Sequence, residues 1–356
     1  MTIQPNLTSI IILNYNGNNF LEDCINSIVK ETHTPYEIIV VDNDSPDKSG
    51  EIFSEKYPLI KFILNKKNVG VPEGLNIGIR NASGEFVVLL NNDLIVAPNW
   101  LDNFFKAYQI TGDALYQPKS LKMKSPDIID GTGCMINIFG FGFARDKGIK
   151  DQGQYNLQEE ISYASGTCMF CPKKIFDEIG LFDPTFFAYH EELDLGWRAR
   201  IFGFRSYYVP DVIIYHYGSA HWKWSSQVFY LLERNRWLVL LKNYSLKTLL
   251  RLLPSLIIIE FSMLGFFATK GLLLKKLESY NSILRLSGHI IKQRKIINTK
   301  RKLDDNEIIR SFCGTIKIPP EANDSKLNEK FEKLLSSLCK LCGYDKIVRD
   351  FKRTNL

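Results

Sequence analysis

Asn91, Asn92 and Asp93 come directly after the aliphatic run 87–90, and a cluster of acids, Glu191, Glu192 and Asp194, opens a helix after an aromatic loop. A carboxylate emerging at the end of a buried strand suits a hard divalent ion, Mg2+ or Mn2+. Such an ion prefers oxygen ligands, keeps open positions and bridges a protein carboxylate to the oxygens of a diphosphate. Asp93 is the carboxylate so placed, and His216 ends a later strand. Acids at a helix start serve as caps and oppose its dipole. They also suit general-base work, in which one carboxylate takes the proton of an attacking hydroxyl. Glu191 and Asp194, three apart, share a helix face, while Glu192 is turned by about 100°. Phe186, Phe187 and Tyr189, folded over such a carboxylate, would exclude water and raise its pKa. One acid is then left to orient Arg198 or the backbone.

The elements that must carry these groups follow from periodicity. Residues 9–13 are an apolar, β-prone run that stops at Asn14, Tyr15, Asn16 and Gly17, a buried strand and its loop. Apolar residues at Leu21, Cys24, Ile25, Ile28 and Val29 predict a helix over 20–29. A second strand over 37–41 stops at Asp42, Asn43, Asp44 and Ser45. Strand, helix, strand begins a parallel sheet, and it continues with a helix near 49–57, a strand over 60–64, a helix over 71–81 and a strand over 86–90. Each strand ends in polar residues, and in open parallel sheets ligands bind outside the carboxyl ends of the strands. Four such ends outline one cleft. Residues 118–157, rich in Gly and Lys without clear period, are expected as loops and irregular strands. A mixed β region over 161–170, a helix over 173–179, a loop over 182–190, a helix over 191–202, short strands over 205–209 and 212–215, and a helix over 227–241 complete the α/β region.

With 356 residues, 45% of them hydrophobic, the chain is neither disordered nor collagen-like, and it can bury a sizeable core. Its net charge of +6 is unevenly spread. Residues 242–302 hold thirteen basic residues against Glu260 and Glu278, and the remainder is net acidic. The basic residues flank an apolar run instead of forming a groove of Arg and aromatics, which points to an anionic membrane surface and away from nucleic acid. Residues 252–274, charged only at Glu260 and Lys270, are long enough to cross a bilayer. Both flanks are basic, which favours keeping both on the cytoplasmic side. The expectation is an interfacial or re-entrant helical pair, with a buried amphipathic dimer interface as the other reading. The division expected is 1–240 catalytic, 241–302 membrane-associating and 303–356 a helical tail. In the tail, Pro319 and Pro320 mark a linker, and a helix over 328–341 packs back or pairs with another chain.

Seven cysteines, an odd number, argue against a disulfide framework. The first apolar run is too short for a signal peptide and has no basic region before it, so the expected location is cytoplasmic and peripheral to the membrane. Cys168 with Cys171 and Cys339 with Cys342 form two CxxC pairs, but the first lies in an expected strand, where residues three apart face opposite sides, so buried thiols are favoured over zinc. Trp222 and Trp224 flank Lys223 and suit stacking on a sugar, a bilayer interface or the core.

The ordered set NYN (14–16), VVDNDS (40–45), NVGVPEGLNIGI (68–79), LLNND (89–93), FFAYHEELDLGWR (186–198) and YHYGSA (215–220) resembles the signature of family 2 glycosyltransferases, over roughly residues 8–240. The likeness is to the rhamnosyltransferase-like branch that builds cell-surface polysaccharides. It implies a GT-A fold, a Rossmann-like, mostly parallel sheet flanked by helices, here with the C-terminal helical extension. It also implies an inverting transfer from a nucleoside-diphosphate sugar, dTDP-rhamnose or a UDP-sugar, to a hydroxyl of a glycan or lipid-linked acceptor. Asp42, Asn14 and Tyr15, with Asn16, Asn68, Gly70 and Asn76, would line the nucleotide pocket. Asn91, Asn92 and Asp93 would meet the donor sugar and diphosphate, and Asp93 and His216 would hold the Mg2+ or Mn2+.

Two departures stand out. Asn91 replaces the first acid of the DXD-like motif, so the ion should arrive mainly with the donor. Glu192 stands where the family usually has Asp as the base, which leaves open whether Glu191 or Glu192 takes the proton. A nucleotidyltransferase shares the early strands but usually carries a Gly-rich, basic phosphate loop, which 14–19 lacks. A catalytically inactive, membrane-bound scaffold of the same fold stays open beside the enzyme, as does a homo-oligomer through the C-terminal helices.

Overall fold

Aliphatic runs closed by Asn or Asp make the first strands, and segments of helical apolar spacing connect them, in a computed structural model that describes residues 3–218, 225–319 and 325–349. In chain order these are β1 Gln4–Asn14, α1 Leu21–Glu31, β2 Tyr36–Asp42, α2 Ser49–Lys56, β3 Lys61–Leu64, α3 Val71–Asn81 and β4 Gly84–Asn91. The strands lie parallel in the order β4, β1, β2, β3. Register sets Leu13 beside Asn91 and Asn14 beside Asp42, so the polar strand ends arrive at one edge.

The chain continues through β5 Leu94–Val96, α4 Trp100–Thr111, β6 Ala114–Lys122, β7 Ser125–Gly131, β8 Cys134–Ile136, β9 Gly142–Ala144, β10 Glu159–Ile161 and β11 Cys168–Pro172, of which β8 and β9 pair in a separate two-stranded sheet and the other strands join the main one. After α5 Lys174–Ile179 and α6 Glu191–Ile201 comes β12 Arg205–His216. β11 runs antiparallel between β4 and β6, and β6 is parallel to β12. Two expectations are corrected here. The stretch 118–157 is more regular than expected, because β6 is a nine-residue strand inside the sheet. The strands expected over 205–209 and 212–215 are one strand whose register shifts between Val209 and Ile213, around Pro210.

The chain divides into two compact units. The first holds Met1–Cys134, Ala144–Ala199 and Phe204–Ser219. Its core has Leu21, Ile25 and Ile28 of α1 and Trp100 and Phe104 of α4 packed with Ile10, Ile12, Val88 and Leu90 of the sheet. Each such side chain contributes roughly 1.5–3 kcal/mol on burial. α1 follows from its spacing: Leu21, Cys24, Ile25 and Ile28 turn inward, while Asp23, Asn26, Lys30 and also Val29 stay exposed.

The second unit holds Met135–Phe143, Arg200–Gly203 and Ala220–Leu356. Its helices are α7 Ser226–Asn243, α8 Leu246–Thr269, α9 Leu273–Arg285, α10 Ser287–Lys300, α11 Asp305–Ile309 and α12 Ser325–Leu341. α12 packs back on α8, where Arg251 Nε donates to the Cys342 carbonyl at 2.8 Å. The Ile138 amide donates to the Cys313 carbonyl at 3.1 Å, and the Tyr244 hydroxyl to the Ile138 carbonyl at 2.9 Å. All seven cysteines are buried free thiols.

Candidate active site

The ends of β1, β2 and β4 are joined by their own side chains. Asn14 is fully buried; its Nδ2 donates to Asp42 Oδ2 at 2.6 Å and Ser49 Oγ at 2.8 Å, and its Oδ1 accepts from Asn92 Nδ2 at 2.7 Å. Asp42 is 2% exposed and also accepts from the Ser45 hydroxyl at 2.6 Å and the Ser45 amide at 3.0 Å. Buried amides and carboxylates need such partners, because an unmade bond costs the desolvation of the group. Asn14, Asp42 and Asn92 therefore frame the cleft floor, and Gly17 leaves room for the Asn14 amide, which a Cβ there would meet at 2.0 Å.

Asp93, 2% exposed, follows this frame. Its Oδ1 stands 3.2 Å from His216 Nε2, and His216 Nδ1 stands 2.8 Å from Asp130 Oδ2. Asp130 also meets Lys147 at 2.7 Å and the Ser120 hydroxyl at 3.3 Å. Burial would lower the His216 pKa, but its bonds to Asp130 and Asp93 outweigh it and raise it to about 9. Burial would raise the Asp130 carboxyl, but the His216 bond and the Lys147 charge hold it well below the usual range.

A divalent ion fits this donor set. A separation of 3.2 Å is close to the roughly 3 Å between neighbouring ligands on an octahedral ion with bonds of about 2.1 Å. Asp130 at Nδ1 fixes the imidazole so that Nε2 faces Asp93, the arrangement by which a carboxylate orients a metal-ligating histidine. Among the described residues no group of three or more His, Cys, Asp or Glu is arranged to hold an ion, so further ligands would come from the donor.

His216 and Asp130 line a pocket together with Gln117, Lys147, Ser165 and Thr167. The Asn91 amide donates to the Thr167 carbonyl at 3.0 Å, which brings this wall to the end of β4. Glu192 lies near this wall: a Cβ on Gly166, between the lining residues Ser165 and Thr167, would stand 3.8 Å from Glu192 Cβ, and the Glu192 charge reaches Cys134, another lining residue. Glu191 is buried, Glu192 is partly so, and in both Oε2 is buried without a hydrogen-bond partner. Burial, and then the Glu192 charge, push the Glu191 carboxyl well above its ordinary range; burial also raises Glu192. Asp194, the third acid, takes the orienting task. Its Oδ2 accepts from Arg198 Nε at 2.9 Å, and that guanidinium also donates to the carbonyls of Ile179 at 2.5 Å and Leu181 at 2.9 Å.

The loop before α6 is strained. Phe187, Tyr189 and His190 have φ of 62°, 69° and 65°, a region that non-glycine residues rarely occupy. The Val71 amide donates to the Phe187 carbonyl at 2.7 Å, and Gly70, with φ of 83°, leaves room for that oxygen. Of the three aromatics expected over the acids, Phe186 is core, Phe187 is 38% exposed, and Tyr189 is partly buried within reach of the charges of Glu191 and Glu192.

Tyr15, Asn16 and Asn91 lie half-buried beside the frame, and Asn68 is exposed, accepting from the Gly70 amide at 2.9 Å. Asn76 is a correction. It is 1% exposed, its amide donates to the Phe182 carbonyl at 2.9 Å and accepts from the Phe182 amide at 3.0 Å, so it anchors a loop and has no group to offer a nucleotide. Sequence reasoning missed Asn43, which donates to the Gly70 carbonyl at 2.9 Å, and also Asp130 and Lys147. Asn43 lies within a quoted motif and could have been found there; Asp130 and Lys147 sit in a stretch with no periodic signal. Trp222, Lys223, Trp224 and the end of the last motif, Ser219 and Ala220, lie outside the described residues.

Comparison with known proteins adds three findings. Residues 9–180 match the model of glycosyl transferase family 2. Over 199 residues the chain is 27% identical to the low-salt glycan biosynthesis hexosyltransferase Agl10 of Haloferax volcanii, covering 54% of this chain and 61% of that protein. Over 236 residues it is 24% identical to the N-acetylglucosaminyl-diphospho-decaprenol L-rhamnosyltransferase of Mycobacterium tuberculosis, covering 60% and 76%. It spans still less, 35%, of the glycosyltransferase GlyG of Streptococcus pneumoniae, at 31% identity over 106 residues. Among solved structures, GalNAc-T7 with UDP, GalNAc and Mn2+ superposes with a TM-score of 0.53 at 20% identity, covering 65% of this chain and 47% of that one. That likeness shows the fold, the GT-A arrangement expected from the sequence. Strand order, polar strand ends and family model agree, and residues 9–180 of this chain carry a glycosyl transferase family 2 domain.

Proposed function

We propose that the chain is an inverting glycosyltransferase that moves a hexosyl or rhamnosyl group from a nucleoside-diphosphate sugar, dTDP-rhamnose or a UDP-sugar, to a hydroxyl of a glycan or lipid-linked acceptor. The observation that carries this reading is that His216, paired with Asp93, lines a pocket whose wall at 165–167 also approaches Glu192, from chain positions far apart. The UDP and Mn2+ of the GalNAc-T7 structure and the polyprenol-linked acceptor in the mycobacterial relative's name support the substrate classes.

Asp93 and His216 would hold a Mg2+ or Mn2+, which when bound offsets negative charge on a departing diphosphate. Asp130 and Lys147 keep His216 turned toward Asp93. Tyr15, Asn16, Asn68, Gly70 and Asn91 offer groups to the nucleotide and diphosphate at the rim, and Asn14, Asp42 and Asn92 hold their loops in register. Glu192, with Glu191 beside it, takes the acceptor hydroxyl's proton while the new carbon–oxygen bond forms and the bond to the diphosphate breaks on the opposite face, inverting the anomeric centre. A carboxyl raised by burial is tuned toward neutral pH for that task. The protein works on the cytoplasmic side, attached peripherally to the membrane.

The test begins with thermal stabilisation by several nucleoside diphosphates and their sugars, with and without Mn2+. A ligand present at about 100 times its Kd adds about 2.7 kcal/mol to the native state. Donor hydrolysis and transfer are then assayed for Asp93→Ala and Glu192→Gln. Both variants should melt as folded proteins and lose transfer by a factor of about a hundred or more. Full activity in both would remove the assignment, and donor binding without turnover in the parent chain would leave a scaffold.

A further inference from the structure

α8 is apolar enough over its 24 residues to cross a membrane, yet its residues do not share one environment. Leu252, Leu256 and Ile259 are buried within the second unit, while Leu246, Leu250, Leu253, Ile257 and Phe261 are 45–71% exposed. These five recur at steps of four, three, four and four, which is one stripe along the helix. Beyond the turn that follows, Leu273, Leu274 and Leu277 of α9 are exposed as well.

One flank of this stripe is tied to charge, where Glu260 lines a pocket beside Leu253, Ile257 and Phe261. Glu260 pairs with Arg236 of α7 and, at 2.7 Å, with Lys276 of α9; the same two cations pair with Glu233, with Arg236 at 3.2 Å. Both acids of residues 242–302 are thereby neutralised, since Glu278 pairs with Lys275 at 2.7 Å. Outward, exposed Lys247 and Lys270 sit near the two ends of α8, and Lys292 and Lys295 lie beside exposed Ile291 and Ile296 on α10.

We infer that the exposed stripe of α8, continued by the leucines of α9, lies in the plane of a bilayer interface with its lysines on anionic headgroups, and that α8 does not span. A spanning helix would present apolar residues to lipid all round, whereas this one keeps one face in a protein core and an ion cluster at Glu260. The occupant is a lipid surface because exposed Lys247 and Lys270 stand at the two ends of this apolar helix and its one acid, Glu260, is already paired; an apolar stripe with lysines at its ends is the pattern of interfacial helices. The inference rests on the proposed peripheral attachment and goes further by naming the face, its orientation and the lipid charge.

The test uses the full chain with vesicles of phosphatidylcholine alone and vesicles that also contain phosphatidylglycerol, read by co-sedimentation. Binding should be roughly tenfold stronger with the anionic lipid and should weaken as salt rises. The triple variant Leu250→Glu, Ile257→Glu, Phe261→Glu should fall to background while keeping the parent's melting temperature and its donor binding. If the parent binds neither vesicle, peripheral attachment and this face fail together. If the parent binds and the triple variant binds equally, attachment stands and the face is overturned. Resistance of the parent to alkaline carbonate extraction from membranes would show a span. A dimer in sedimentation velocity that the triple variant abolishes, with vesicle binding unchanged, would assign the stripe to a second copy of the chain.

Discussion

Single side chains set the chemistry here through what lies next to them. Asp130 decides which nitrogen of His216 faces Asp93. Asp130→Asn removes that charge while keeping the shape, and Mn2+ affinity in the presence of a nucleoside diphosphate, measured by calorimetry on the folded variant, should fall by about 10–100-fold, with a lower melting temperature because Lys147 and His216 lose their acid. Glu191 makes a different prediction. Its carboxyl is pushed far up by burial and by Glu192, so the folded chain holds that proton more tightly than the unfolded chain does. Its contribution to stability is complete below the ordinary glutamate pKa of about 4.3 and is lost as pH rises toward the folded value. Glu191→Gln should therefore melt like the parent in acid and above it at neutral pH, with the gap opening as pH rises. Thermal melts across that range check it, and a gap that closes with rising pH would show that Glu191 is not the strained member of the pair. Transfer retained in Glu191→Gln and lost in Glu192→Gln would settle the base.

At the scale of elements, the acids depend on a loop that the start of α3 holds down. Gly70 has φ of 83°, and a Cβ there would meet the Phe187 carbonyl oxygen at 2.5 Å. Gly70→Ala should cost about 1–3 kcal/mol in stability and reduce transfer more than the stability loss alone explains, because the loop leads directly into Glu191. Urea melts alongside transfer assays separate the two effects, and an unchanged loop would leave both near the parent's. Such clamps are invisible to periodicity. What periodicity did reveal was the parallel half of the sheet, since β1, β2 and β4 are continuous aliphatic runs with both faces covered. It failed at β6, where Gln117, Lys119 and Ser120 are buried polar residues within a strand that also contains Pro118. Lys119 is tolerated there because Asp151 at 2.9 Å and Asn156 at 3.1 Å receive it. A strand that lines a polar pocket gives up the hydrophobic pattern by which strands are recognised, so the least legible part of the sheet is the part that carries Asp130 and its neighbours. The motif residues were legible as a set, but their tasks were not: Asn76 reads like Asn14 in sequence, and only the packing shows that one holds Phe182 while the other joins three strand ends.

For the molecule as a whole, the sequence shows where charge accumulates but not where it is cancelled. The basic stretch carries its two acids in a greasy context, and nothing in their spacing says that Glu260 joins Arg236, Lys276 and Glu233 across three helices. Lys276 is fully buried and Arg236 nearly so, which makes the cluster the polar centre on which the second unit's helices close. Burial alone would raise the Glu233 carboxyl, but the charges of Arg236 and Lys276 outweigh it and lower it to about 2. A carboxyl held below its unfolded value stabilises the fold above the ordinary pKa of about 4.3 and loses that contribution as pH falls through about 2. Lys276→Met leaves an acid buried without one of its partners and should destabilise the protein by about 3–5 kcal/mol at neutral pH. The deficit should shrink in acid, where the carboxyl takes a proton and no longer needs the cation. Combining Lys276→Met with Glu233→Gln removes the stranded charge and should recover part of the loss at neutral pH. Denaturant melts of the parent, the two single variants and the double variant at neutral and acid pH decide the matter. Additive losses would mean that the two residues act independently, and the helices of this unit would then be held together by apolar packing alone.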